Sequence, residues 1–182
     1  MPDVAELGAA LAAWLRALRL PPAVLVGTSV GSQVALEAAL ADPEATAGVV
    51  LASPTVDRER RRWRDQVWRW QLEQSTQSGR MRRVQLADWA RTGPRRGLAT
   101  FRHALRHRPE ERVTGLRAPL LVVWGSHDPL LRREWAQELA DRAPDGRLAV
   151  LPGAVHAASH EDPVALARVV HGFLDDLAAR RT

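Results

Sequence analysis

Ser29 is the side chain most suited to covalent chemistry. It sits in Gly27-Thr28-Ser29-Val30-Gly31, where an apolar run gives way to an Ala- and Leu-rich stretch of helical spacing. This is the GxSxG pattern of a nucleophile elbow. A serine on a sharp strand-to-helix turn projects its hydroxyl away from the backbone. Gly27 and Gly31 are read as the positions where a side chain would collide with that turn. The helix that follows points its N-terminus at the serine. Its free N–H groups and partial positive charge favour an oxyanion there. The Val30 amide is the expected first oxyanion donor. The same five residues also fit a small-residue turn that packs a helix closely onto a sheet.

A serine hydroxyl needs a base, and the base needs an orienting acid. "VVWGSHDPLL" places Asp128 just past an apolar run, and "LPGAVHAASHEDP" places His156 just past the next. If both runs are strands, acid and base lie at carboxyl ends, where the loops of a parallel sheet converge. Asp128 could instead cap the helix that follows it, and His156 could be a plain loop histidine. Asp57, after an earlier apolar run, is a rival acid. His160 is read as a cap for the final helix or as solvated. His103, His107 and His127 are read as surface residues. No His/Asp/Glu cluster has metal-ligand spacing.

The elements that must position these groups follow from periodicity. Val4, Leu7, Leu11, Trp14, Leu15 and Leu18 form one stripe of an amphipathic helix over residues 3–19. Residues 23–27, 47–53, 118–126 and 147–153 read as buried strands, and 30–41, 131–142 and 163–179 as helices. This alternation predicts a parallel α/β sheet. Residues 57–112 contain no strand-like run and read as two or three helices rich in Arg and Trp. Trp63, Val67 and Trp70 share one stripe there. The run "DRERRRWRDQVWRWQ" reads as a solvated helix face with Trp packed beneath, its acids interspersed with the arginines. The other reading is a lining for an acidic substrate or a nucleic-acid contact.

At 182 residues the chain fits one domain, with room for an insertion. All 26 basic residues are Arg, and Lys, Ile, Asn and Tyr are absent, the mark of GC-rich coding. A net charge of +5 over the whole chain is therefore weak evidence for a nucleic-acid partner. With no Cys, disulfides, thiolate catalysis and Cys-ligated metals are excluded. The N-terminal stretch has early acids, and Arg16 and Arg19 interrupt its apolar run. It is neither a signal peptide nor a membrane span, so a cytoplasmic protein is expected.

"VGTSVGS", "WGSHDPLL" and "LPGAVHAASHEDPVALARVVHGFL" together resemble the elbow, acid loop, histidine loop and closing helix of the α/β-hydrolase family. The resemblance covers nearly the whole chain. Thr28 stands where a His is common and Ser32 where a Gly is common. The resemblance implies a partial α/β-hydrolase fold: a mostly parallel sheet of about four strands with flanking helices. Residues 1–53 and 116–182 would form the core and 54–115 a helical cap insertion. It also implies a Ser29–Asp128–His156 triad that acts on an ester-like or other acyl carbonyl. A serine at the elbow argues against the relatives that use an Asp nucleophile, such as dehalogenases and epoxide hydrolases. Esterase, thioesterase, lactonase, C–C bond hydrolase and cofactor-free haloperoxidase stay open. No cofactor is implied. The partner is expected to be a small, apolar acyl substrate, with no nucleic acid or membrane; a homodimer stays open. No strand precedes the elbow strand to supply a second oxyanion N–H, so an incomplete product with impaired turnover is expected. The alternative is a non-catalytic, hydrolase-like interaction module.

Overall fold

Helix α1 (Val4–Ala17) begins at a capping box: Asp3 Oδ1 accepts from the Glu6 N–H, and Glu6 Oε2 from the Asp3 N–H. The computed structural model describes residues 2–180. β1 (Ala23–Thr28), α2 (Val30–Ala41) and β2 (Thr46–Ala52) follow. A helical segment comes next: α3 (Trp63–Thr76), α4 (Gly79–Thr92), α5 (Pro94–Arg106) and the short α6 (Pro109–Arg112). The chain then alternates again through β3 (Leu120–Gly125), α7 (Arg133–Arg142), β4 (Gly146–Leu151), α8 (Ala158–Glu161) and α9 (Pro163–Ala179).

Among the described residues, four strands form one sheet in the order β1-β2-β3-β4, every neighbouring pair parallel, as the alternation predicts. Parallel strands are covered on both faces and so read as continuous apolar runs. Leu25, Val49, Leu51, Leu120 and Val122 pack on one face with α2 and α7, around the fully buried Leu36, Trp135 and Leu139. Val50, Leu121 and Val123 pack on the other with Leu166, Phe173 and Leu177 of α9. β1 lies at one edge, with Val26 half exposed.

α1 keeps half of the expected stripe: Val4 is buried, and Leu11 and Leu15 pack against the core. Leu7, Trp14 and Leu18 are exposed, and Gly8 and Ala12 are buried instead. The cause is close helix–helix approach: a Cβ on Gly8 would stand 2.4 Å from Glu37 Cβ on α2. The small Gly8 and Ala12, at i and i+4, face inward there.

Glu37 is the electrostatic tie between α2 and the segment leading into β3. Its carboxylate meets His107 Nε2 at 2.8 Å and Arg112 Nε and Nη2 at 2.8 Å each. His107 is thus no surface residue; its side chain is 9% exposed. Burial pushes the Glu37 carboxyl up, but the hydrogen bonds and charges of His107 and Arg112 outweigh it and hold the pKa at about 2. A carboxylate depressed in the fold stabilises it above its unfolded value and loses that contribution as pH falls through the folded one. Glu37→Gln should therefore destabilise the neutral protein by about 2–3 kcal/mol. The gap from wild type should shrink as urea titrations are taken down from about pH 4.5 toward about pH 2.

Candidate active site

Each expected site residue follows the carboxyl end of a strand: Ser29 after β1, Asp128 after β3 and His156 after β4. Because the strands are parallel and in register, these ends share one rim. The structure brings the three side chains together. His156 Nδ1 lies 2.8 Å from Asp128 Oδ2, and His156 Nε2 lies 3.0 Å from Ser29 Oγ. A carboxylate can only accept, so Nδ1 carries the hydrogen that faces Asp128. Nε2 is then free to accept from the serine hydroxyl.

The backbone at Ser29 is held in a strained conformation. Its φ of 54° and ψ of −122° lie in the region that glycine favours. The Ser29 N–H donates to Ala52 O at 3.0 Å, and Ser32 Oγ donates to Gly27 O at 2.9 Å, so both sides of the turn are tied down. Ser29 stands at the N-cap of α2, but its hydroxyl makes no capping bond. Among the described residues the Val30 N–H has no acceptor. It is available to a negative oxygen beside Ser29.

The two elbow glycines are not equivalent. A Cβ on Gly27 would stand 2.3 Å from Gly31 O and 2.7 Å from Ser32 Cα, inside the backbone of the next turn. A Cβ on Gly31 would meet nothing within 4 Å. The expected collision therefore exists at Gly27 alone, where strand and helix backbones touch; Gly31 faces open space. Gly27→Ala should cost about 1–3 kcal/mol, while Gly31→Ala should stay within about 0.5 kcal/mol of wild type. Thermal unfolding of the two variants checks the contrast.

Asp128 divides its two oxygens. Oδ1 accepts from the N–H groups of Leu130, at 2.8 Å, and Leu131, at 3.2 Å, while Oδ2 faces His156. Asp128 thus fastens the turn after β3 while facing the histidine; it does not cap α7, whose N-cap residue is Arg132. The rival Asp57 is fully buried and engaged elsewhere: Arg132 Nε lies 2.7 Å from its Oδ2 and Arg132 Nη2 2.9 Å from its Oδ1. That bidentate pair takes both oxygens and leaves Asp57 out of the serine–histidine chain.

The acid and histidine loops are fastened to each other. The His127 N–H donates to Ala154 O at 2.9 Å, the Ser126 N–H to Leu151 O at 3.0 Å, and the Gly153 N–H to Ser126 Oγ at 2.7 Å. Gly125 allows this approach, since a Cβ there would stand 2.4 Å from Ala154 O. His127 is exposed, and His103 and His160 are half-buried. His160 does not cap the last helix; Asp162 does, accepting from the Ala165 N–H at 3.1 Å.

α3 contributes an unexpected group. Its buried residues are Gln66 and Glu73, not the Trp63–Val67–Trp70 stripe. Trp63 and Trp68 are more than half exposed. Gln66 donates from Nε2 to Arg60 O at 2.8 Å. Glu73 accepts from Gln77 Nε2 at 2.9 Å. Burial pushes the Glu73 carboxyl above the usual carboxylate range, against the opposing charge of His156. At His156, burial lowers the imidazole pKa; the charge and hydrogen bond of Asp128, with the charge of Glu73, outweigh it and leave the value raised. No motif marks Glu73. The available signal was two polar residues seven apart, Gln66 and Glu73, on one side of a helix otherwise judged by its tryptophans. Two further contacts join this segment to the site loops: Arg69 Nη1 donates to Pro129 O at 2.9 Å, and the Ser78 N–H to Glu161 Oε1 at 2.9 Å.

A family model described as "Serine aminopeptidase, S33" matches residues 3–163. The chain belongs to this family of α/β hydrolases. No curated protein sequence matches this α/β hydrolase. Solved structures do, at low identity. A hydrolase from Oleispira antarctica superposes with a TM-score of 0.81 at 16% identity, covering 95% of this chain and 72% of that one. An N-acyl homoserine lactone degrading enzyme gives 0.70 at 22%, covering 95% and 75%. An esterase from a Rhodococcus species gives 0.63 at 23%, covering 96% and 73%. At such identities the likeness is one of fold. Among the described residues of this hydrolase, no helix is long and apolar enough to cross a membrane.

Proposed function

We propose that this α/β hydrolase is a serine hydrolase that cleaves an ester-like acyl bond through Ser29, His156 and Asp128. The observation that carries the reading is the continuous hydrogen-bond chain from Asp128 Oδ2 through both nitrogens of His156 to Ser29 Oγ. His156 Nε2 takes the hydroxyl proton as Ser29 Oγ attacks the acyl carbon. The carbonyl oxygen becomes an oxyanion beside the Val30 N–H. Asp128 stabilises the imidazolium, which then gives its proton to the leaving group. Water, deprotonated by His156, releases the acid from the acyl-serine and restores the hydroxyl.

Residues 54–115 act in this reading as a helical cap over the site. The bonds of Arg69 to Pro129 and of Ser78 to Glu161 support that role. The substrate is a small acyl compound. The buried Glu73, whose charge acts on His156, argues for a polar group near the reacting carbonyl rather than an apolar pocket throughout. No cofactor takes part in any of these steps.

A p-nitrophenyl ester series tests the reading. The expected result is an initial nitrophenol burst that matches the enzyme concentration, the signature of an acyl-enzyme. Folded protein that releases nitrophenol no faster than buffer would instead favour a non-catalytic interaction module.

A further inference from the structure

The helical segment carries charge in a way that base composition does not explain. GC-rich coding raises Arg throughout a chain. Yet residues 63–106 hold ten Arg against three acids, a formal +7, while the whole chain is only +5. The remainder is thus net acidic at −2. The ten include Arg64, Arg80, Arg82, Arg83, Arg95 and Arg96, all exposed. Of the three acids, Glu73 is turned inward, leaving only Asp65 and Asp88 at the surface.

Large apolar side chains stand among these arginines. On α3, Arg64, Trp68 and Leu72 follow one another at i, i+4 and i+8, opposite the inward Gln66 and Glu73. None of the residues of α4 is buried, although it carries Val84, Leu86 and Trp89. Leu86 is 70% exposed, and Leu98 on α5 is 58% exposed. Trp with Leu and Val, interleaved with Arg on surface helices, is the composition of a face that settles into the headgroup layer of a bilayer. Indole rings and aliphatic chains enter the acyl boundary, and guanidinium groups pair with phosphates.

We propose that the outer face of α3, α4 and α5 docks on an anionic lipid surface. Charge complementarity selects this partner. A second copy would set one strongly basic face against another. A nucleic acid would satisfy the arginines but leave Leu72, Val84, Leu86 and Leu98 without an apolar partner. It would also need open ring faces for base stacking. Arg64 lies over the Trp63 ring at 5.4 Å, Arg69 over Trp68 at 5.7 Å, and Trp70 stacks on Trp89 at 5.2 Å. Arg69 of α3 bonds to Pro129 in the loop that carries Asp128, so docking would hold the candidate site near the lipid surface. The docking itself does not depend on the catalytic role of Ser29.

Co-sedimentation with unilamellar vesicles tests it. The chain is expected to bind vesicles of phosphatidylcholine mixed with phosphatidylglycerol, and not vesicles of phosphatidylcholine alone. Binding should weaken as salt is raised, and vesicles should protect tryptophan fluorescence from an aqueous quencher. Each Arg near such a surface contributes about fivefold to binding. The double variant Arg82→Glu/Arg83→Glu should therefore lose at least about tenfold with unchanged circular dichroism. Leu86→Asp, at an exposed position that the fold does not use, should weaken binding without lowering the melting temperature. The proposal is overturned by any of three results. The first is no difference between the two vesicle types. The second is wild-type binding by both folded variants. The third is retention on duplex DNA, with vesicles failing to compete.

Discussion

Ser29→Ala is expected to reduce ester hydrolysis by about 10⁶-fold while leaving the fold intact. The substitution removes one oxygen. That oxygen makes no capping bond to α2, and its partner is His156 Nε2. Alanine at φ 54° bears the strain that serine already bears, so the turn between Gly27 and Gly31 has no new reason to rearrange. The residual rate should stay above that in water, because binding and the Val30 N–H survive. Steady-state kinetics on a p-nitrophenyl ester, with a melting curve of each protein, measures both halves of the expectation. A variant that keeps a tenth of the activity would remove Ser29 from the chemistry.

Asp128→Asn should cost about 10⁴-fold in kcat through a different route. The oxygen of the new carboxamide could still accept from the Leu130 and Leu131 N–H groups, so the loop should hold. Its NH₂ group, however, would donate toward His156 Nδ1. The imidazole would then carry its hydrogen on Nε2, which could no longer accept from Ser29. The pH profile separates this from a general loss of structure. His156 works as a base only when neutral, and Asp128 and Glu73 raise its pKa over the opposing effect of burial. Wild-type activity should therefore fall off on the acid side with a midpoint above the ordinary histidine value of about 6.5. Without the Asp128 charge that midpoint should move down in pH, although kcat is lower throughout. A midpoint that stays in place would mean that Asp128 does not act through His156.

The strand-borne half of this architecture was legible because buried parallel strands leave an uninterrupted apolar signal and stop at recognisable turns. Ser29, Asp128 and His156 each follow such a stop, and one topology then puts them on the same rim. Periodicity could not choose between Asp128 and Asp57, since both follow apolar runs. The choice lies in a partner 75 residues away, Arg132, which takes both oxygens of Asp57. The helical segment was legible as helices but not by face. A stripe of tryptophans normally marks the side that packs on a core. α3 instead buries Gln66, which donates to Arg60 O, and Glu73, whose charge acts on His156. His107 was misjudged for a related reason: its partner, Glu37, comes from α2, far along the chain. The shared role assigned to the two elbow glycines failed because a pattern records residue type, while only Gly27 faces backbone.

The most direct measurement is fluorophosphonate labelling of the folded chain, followed by intact-mass analysis and peptide mapping. A serine made nucleophilic by His156 and Asp128 should take up one adduct, mapped to Ser29, with labelling lost in Ser29→Ala and slowed in Asp128→Asn. A folded wild-type protein that stays unlabelled, or an adduct on another residue that persists in Ser29→Ala, would contradict the assignment of Ser29 as nucleophile.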